Sequence, residues 1–159
     1  MAIDPANIIL GGESAGGYLA LTLLDRLSSD PYPGPGGAVL IAPWIDLLNW
    51  GGSFARNKHL DLLNKPGLDK FAQQVTGNRL TDKTLQVVDP SINIMESRSF
   101  LPPVTWVTVG SHDLFVDDVV RFVEKAKKAG STITLEVMDG LPHVWQQVDL
   151  FQLKDYYRL

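Results

Sequence analysis

Apolar residues along the chain fall into short blocks separated by turn formers, and the period of the blocks alternates. Residues 7–10 (NIIL) make an apolar run that ends at Gly11-Gly12, which predicts a short buried strand. From Ala15 to about Ser28, five leucines (Leu19, Leu21, Leu23, Leu24 and Leu27) stand among small residues. That spacing predicts a mostly buried helix, stopped by the prolines and glycines of DPYPGPGG. Residues 38–42 (AVLIA) predict a second strand, and VTWVTV at 104–109 carries the strongest strand signal in the chain. Val119, Val120, Phe122, Val123 and Ala126 then recur with helical spacing before a stop at Gly130. Residues 132–138 (TITLEVM) predict a further strand, and 144–157 a closing amphipathic segment.

Residues 47–100 break this rhythm. They are polar and punctuated by Gly51-Gly52, Pro66-Gly67, Gly77 and Pro90, with short helices predicted at 68–75 and 81–87 and no strand. The whole reads strand, helix, strand, insertion, strand, helix, strand, helix. That order predicts an α/β fold built on a parallel sheet with crossover helices.

Composition narrows the chemistry. A chain of 159 residues that is 45% hydrophobic is long enough to bury one domain core. A net charge of −4 and a pI near 5.2, with no basic run, argue against binding to a phosphate backbone. Lys125, Lys127 and Lys128 read as one solvated helix face. With no cysteine there is no disulfide and no thiolate metal site, and the three histidines (His59, His112, His143) form no metal-binding spacing. No apolar run reaches the roughly 18–20 residues of a membrane span. The first ten residues, MAIDPANIIL, do not read as a secretory signal. These readings leave the compartment open, with the cytoplasm favoured.

Functional groups in open parallel sheets collect at the carboxyl ends of the strands. Three candidates stand there: Ser14 after the first strand, Asp113 after VTWVTVGSH, and His143 in DGLPHVW. A serine hydroxyl needs a base to become a nucleophile. Histidine accepts that proton and returns it to the leaving group, and an aspartate on the far imidazole nitrogen fixes the tautomer. Gly12-Glu13-Ser14-Ala15-Gly16 is a GxSxG turn between strand and helix, with the Ala15 N–H at the helix start facing a developing oxyanion. A GxSxG alone is a modest signal, because its residues are common. Asp117 and Asp118 compete with Asp113 for the acid. Asp113 is favoured because it directly follows a strand, and Asp117 reads as the helix cap. His59 and His112 read as structural, and Glu13 as a residue that orients the turn by hydrogen bonding.

These residues also carry a resemblance. DPANIILGGESAGGYLALTLL is similar to the nucleophile region of the hormone-sensitive-lipase-like esterases, the fold-3 group of α/β-hydrolases. APWIDL, LPPVTWVTVGSHDLFVDD and LPHVWQ resemble that family's strand-end, acid and histidine segments. The resemblance is weakest over residues 47–100. It implies Ser14 as nucleophile, Asp113 as acid, His143 as base, Ala15 in the oxyanion hole, a carboxylic-ester substrate and no metal or organic cofactor. Glu13 departs from the family's usual Asp, and His112 and Phe115 stand in a segment that often reads D-P-L.

The family also carries an HGGG-type oxyanion loop, further strands and a cap, all ahead of the nucleophile. The expectation is therefore a partial α/β-hydrolase domain over residues 1–159, its C-terminal half, with an irregular and helical insertion at 47–100. The nucleophile strand would then be an edge, and the isolated chain weakly active or inactive. A serine peptidase of the α/β type and a non-catalytic remnant acting through association are the rival readings. Family members often dimerise through the last strand, here residues 132–138, which implies a homodimer.

Overall fold

The structure, a computed structural model, describes residues 3–28, 33–77, 93–96 and 104–148. Four strands make one sheet in the order β1-β2-β3-β4: β1 (Ile9–Glu13), β2 (Gly37–Ile41), β3 (Val104–Gly110) and β4 (Ile133–Met138). Every pairing is parallel, with Leu10 opposite Ala38, Leu40 opposite Val107 and Val107 opposite Leu135. Parallel neighbours need long crossovers. Helix α1 (Ala15–Ser28) lies in the first and α4 (Val116–Lys128) in the last. The middle connection holds α2 (Ser53–Arg56) and α3 (Lys65–Thr76). Helix α5 (Trp145–Val148) follows β4. The helix expected at 81–87 lies outside the described residues, as does the 149–157 part of the closing segment.

The differences from the expected elements have local causes. The first strand starts two residues later than predicted because Asp4 accepts the Ala6 N–H and Pro5–Asn7 coils into a 3₁₀ turn. At its other end it runs on through Gly11 and Gly12, whose ladder partners are Val39 and Leu40. Ladder bonds use the backbone, so glycine ends the apolar pattern without ending the strand. Helix α1 is buried on one face rather than nearly all round. Gly17, Ala20, Leu21 and Leu24 recur at three- and four-residue steps and face the core, while Leu19 and Leu23 are exposed. Lys125 is not purely solvated, since its Nζ donates to the Met95 carbonyl.

The core lies between sheet and helices, around Leu21, Leu40, Val107, Val109, Val119 and Val123. Among the described residues nothing pairs with the outer edge of β1, where Ile9 is 71% exposed, or of β4. Among the described residues, no helix is long and apolar enough to cross a membrane.

An ionic knot of two buried carboxylates and a half-exposed arginine ties the segment after β2 to α4. Arg121 reaches Asp118 at 2.6 Å and Asp46 at 3.2 Å, and the Asn93 amide donates to Asp46 at 3.0 Å. Asp118 is almost wholly enclosed, and its Oδ2 has no hydrogen-bond partner among the described residues. Burial, reinforced by the neighbouring Asp46 carboxylate and opposed by Arg121, pushes Asp118 up to about 6. The folded protein therefore keeps a proton that the unfolded chain releases near its ordinary value. Stability from this group is full below about pH 4 and is lost as pH rises through about 6, by an amount on the order of 2–3 kcal/mol. Denaturant titrations at pH 4, 5, 6 and 7 should show the wild type losing stability relative to Asp118→Asn across that window. A constant difference between the two proteins would contradict this.

Candidate active site

The site is assembled at the carboxyl ends of β1, β3 and β4. Ser14 directly follows β1 and holds a left-handed backbone, φ 52°, a conformation that costs a non-glycine residue on the order of 1–2 kcal/mol. The surroundings enforce it. The Ser14 N–H donates to the Ile41 carbonyl at 2.9 Å, and the Ser14 carbonyl accepts from Tyr18 and Trp44. Gly12 makes the turn possible because a Cβ there would stand 2.4 Å from the Gly16 carbonyl oxygen. Ala15 is the first residue of α1, so its N–H has no acceptor within the helix and lies at the positive end of the helix dipole.

Asp113 comes three residues after β3 and is fully buried. Its Oδ1 accepts the Phe115 N–H at 2.8 Å, and its Oδ2 lies 2.9 Å from Nδ1 of His143. Burial pushes the Asp113 carboxyl above the ordinary range, while His143 and the Phe115 amide pull it back. His143 stands in the loop after β4, and its Nε2 lies 2.8 Å from Ser14 Oγ. A carboxylate can only accept, so the imidazole proton belongs on Nδ1, and Nε2 is left to accept from the serine hydroxyl.

The loop holding His143 is pressed against the end of β3. A Cβ on Gly110 would lie 2.0 Å from the Leu141 carbonyl oxygen, and that same oxygen accepts the His112 N–H at 3.0 Å. The imidazole meets the edge of Phe115, with ring centroids 5.1 Å apart and planes at 87°. Phe115 in turn stacks on Trp44 at 5.9 Å. Val144, next to His143, also has a positive φ of 48°, an unusual state for a β-branched residue.

Ser14, Asp113 and His143 are thus in one hydrogen-bonded chain, with Ala15 beside it. The other residues weighed in the sequence fall elsewhere. His59 is exposed, and His112 is half-buried with its backbone engaged. Asp117 is not the cap of α4. It accepts the Ser53 N–H at 2.7 Å and pairs with Arg56 at 2.7 Å, while the N-cap position is Phe115, which makes no side-chain cap bond. Glu13 reaches beyond its own turn to accept from the Gln147 amide at 2.7 and 2.8 Å, joining the Ser14 turn to α5.

Four further residues touch the site without having stood out in the sequence. Ser53 Oγ donates to the Leu114 carbonyl, and the Asn57 amide donates to the carbonyls of Ser111 and Asp113, both at 2.9 Å. Asp61 and Gln147 complete the set. Nothing in the spacing of a polar, glycine-broken segment marks Ser53 or Asn57 as buried. Among the described residues, no group of three or more His, Asp or Glu side chains is placed to hold a metal ion.

The family described as alpha/beta hydrolase fold matches residues 1–147. An esterase from Acinetobacter venetianus is 35% identical over 151 residues, covering 94% of this chain and 47% of that protein. An acetyl-hydrolase from Streptomyces hygroscopicus is 32% identical over 142 residues, covering 89% of this chain and 46% of its own length. The crystal structure of an esterase from the bacterial hormone-sensitive lipase family superimposes with a TM-score of 0.80 at 35% identity, over 95% of this chain and 49% of that one. The chain therefore spans about half the length of the relatives it matches. A parallel sheet with this strand-turn-helix and these matches has one conclusion: the chain belongs to the α/β-hydrolase fold family, in its hormone-sensitive-lipase-like branch.

Proposed function

We propose that the protein is a carboxylic-ester hydrolase that works through an acyl-enzyme on Ser14. The observation that carries this reading is the unbroken relay from Ser14 Oγ to His143 Nε2 at 2.8 Å and from His143 Nδ1 to Asp113 at 2.9 Å. The ester class is supported by the relatives, whose names are esterase and acetyl-hydrolase.

In this mechanism His143 takes the Ser14 proton as the hydroxyl oxygen attacks the ester carbonyl, then gives it to the departing alcohol. Asp113 holds the imidazole in the tautomer that leaves Nε2 basic and stabilises the imidazolium that forms. The Ala15 N–H donates to the oxyanion. Water, activated by the same imidazole, then frees the acid. Phe115 keeps the ring upright through both steps, packed against it on one side and on Trp44 on the other.

No second oxyanion donor is assigned among the described residues. One such donor is worth about 2.7–4 kcal/mol, or 10²–10³ in rate, so ester turnover depends on it as well as on the nucleophile. A fluorophosphonate probe avoids that difficulty, because it reads the nucleophile directly. It should label Ser14 alone, and Ser14→Ala should abolish both labelling and residual nitrophenyl-ester turnover. Labelling that survives undiminished in Ser14→Ala would end the proposal.

The two aspartates separate the acid from its competitor. Asp113→Asn turns an amide toward the imidazole, which disfavours the required tautomer. The rate of phosphonylation should fall by several orders of magnitude, by analogy with the roughly 10⁴ seen for such a change in other triads. Asp117→Asn breaks only the ties to Ser53 and Arg56 and should cost far less. The reverse order would move the acid to Asp117.

We also place a homodimer contact on β4. Among the described residues nothing pairs with its outer edge, and Thr134, Glu136 and Val137 along it are exposed. Light scattering should report a dimer that a proline at an outward-facing position of β4 dissociates; a monomer at every concentration argues against it.

A further inference from the structure

The middle connection does more than link β2 to β3. Asp61 lies in it, between α2 and α3, and is half-buried. Its Oδ1 accepts the backbone N–H of His143 at 2.9 Å, along with that of its neighbour Leu62 at 2.6 Å. Its Oδ2 accepts the backbone N–H of Leu114, the residue after Asp113, at 2.6 Å. One carboxylate therefore grips the chain at the base and beside the acid.

We propose that Asp61 is a positioning residue for the hydrolytic relay, setting the separation of the His143 and Asp113 backbones by accepting from both loops at once. The proposal rests on the Ser14–His143–Asp113 reading above. Asp61 touches no reacting atom and acts through the two residues it spaces.

The chemistry explains why a carboxylate is needed. The His143 loop and the Asp113 loop each present an N–H toward this point, and only a group with an acceptor at both ends satisfies them together. Charge-assisted bonds of this kind are short and strong, as the 2.6 Å contact to Leu114 illustrates. An asparagine would offer one oxygen and turn its NH₂ against the other donor. The loops are then forced apart on one side, and a relay built on 2.8 and 2.9 Å contacts has little slack. The arrangement also sets one negative charge near another. Asp61 adds a small upward push to Asp113, so its benefit lies in geometry rather than in easing ionisation of the acid.

The test reads the relay directly, without requiring turnover. In the 159-residue chain labelled with ¹⁵N-histidine, the Nδ1–H of His143 should give a low-field, slowly exchanging imidazole resonance that Asp113→Asn removes. Asp61→Asn should lose or strongly shift this resonance while the backbone amide spectrum stays folded. Asp117→Asn is the control, because it too deletes a carboxylate that accepts a backbone N–H from the same connection, while its hydrogen bonds go to Ser53 and Arg56 rather than to the His143 loop. Its resonance should stay in place. An unshifted resonance in Asp61→Asn, or equal loss in Asp117→Asn, overturns the positioning role. Absence of the resonance in the unsubstituted chain overturns the relay reading itself, and this inference with it.

Should Asp61→Asn fail to fold, amide exchange in the unsubstituted chain decides. The His143 and Leu114 amides should open together, each protected on the order of tenfold or more over an unbonded loop amide. Free exchange at His143 beside a protected Leu114 overturns the proposal.

Discussion

The point on which the site depends is a contact between two backbones. The end of β3 and the loop after β4 touch at Gly110 and Leu141, so closely that a single methyl group on Gly110 would collide with the Leu141 carbonyl oxygen. Strand pairing between β3 and β4 ends at Gly110 and Met138, and beyond it the chains would ordinarily diverge. Here they stay together, because the His112 N–H takes up Leu141 and the Ser111 N–H takes up Met138. Asp113 and His143 are the residues carried forward by these two segments. Their 2.9 Å contact continues the sheet by other means.

Against this frame the Ser14 turn supplies the opposing jaw. Its left-handed backbone is held by hydrogen bonds from the end of β2 as well as from its own helix. The aromatic pair Trp44–Phe115 fills the space between, with Trp44 coming from the segment after β2 and Phe115 from the acid loop. The departure from the family's D-P-L pattern at Phe115 thus has a physical counterpart: a large ring stands where it can support the imidazole.

How much of this was legible beforehand follows the range of each interaction. The α/β order, α1 and its start at Ala15, and the strand-end positions of Ser14, Asp113 and His143 depend on local pattern and chain order, and these are visible in a sequence. Strand starts such as Ile9 rather than Asn7 depend on a side-chain bond from Asp4, which periodicity does not register. The burial of Gly17, Ala20, Leu21 and Leu24 but not of Leu19 and Leu23 depends on tertiary packing, and a run of leucines does not carry that information. Ser53, Asn57 and Asp61 were out of reach for a different reason. Their partners lie 53 to 82 positions away along the chain, and each bond uses the partner's backbone, which has no sequence signature. Asp117 misled because a carboxylate in the first turn of a helix suits a cap, and here a distant N–H claimed it instead.

The span of the relay bears on how the protein acquires its site. Ser14 and His143 are 129 residues apart in sequence, and their contact requires every parallel pairing and every crossover between them. Closing loops of that length is entropically expensive and slow, and it rewards the chain only when the last strand docks. The Ser14–His143 contact is therefore a late event in folding. Until then the Ser14 hydroxyl and the His143 imidazole have no contact with one another.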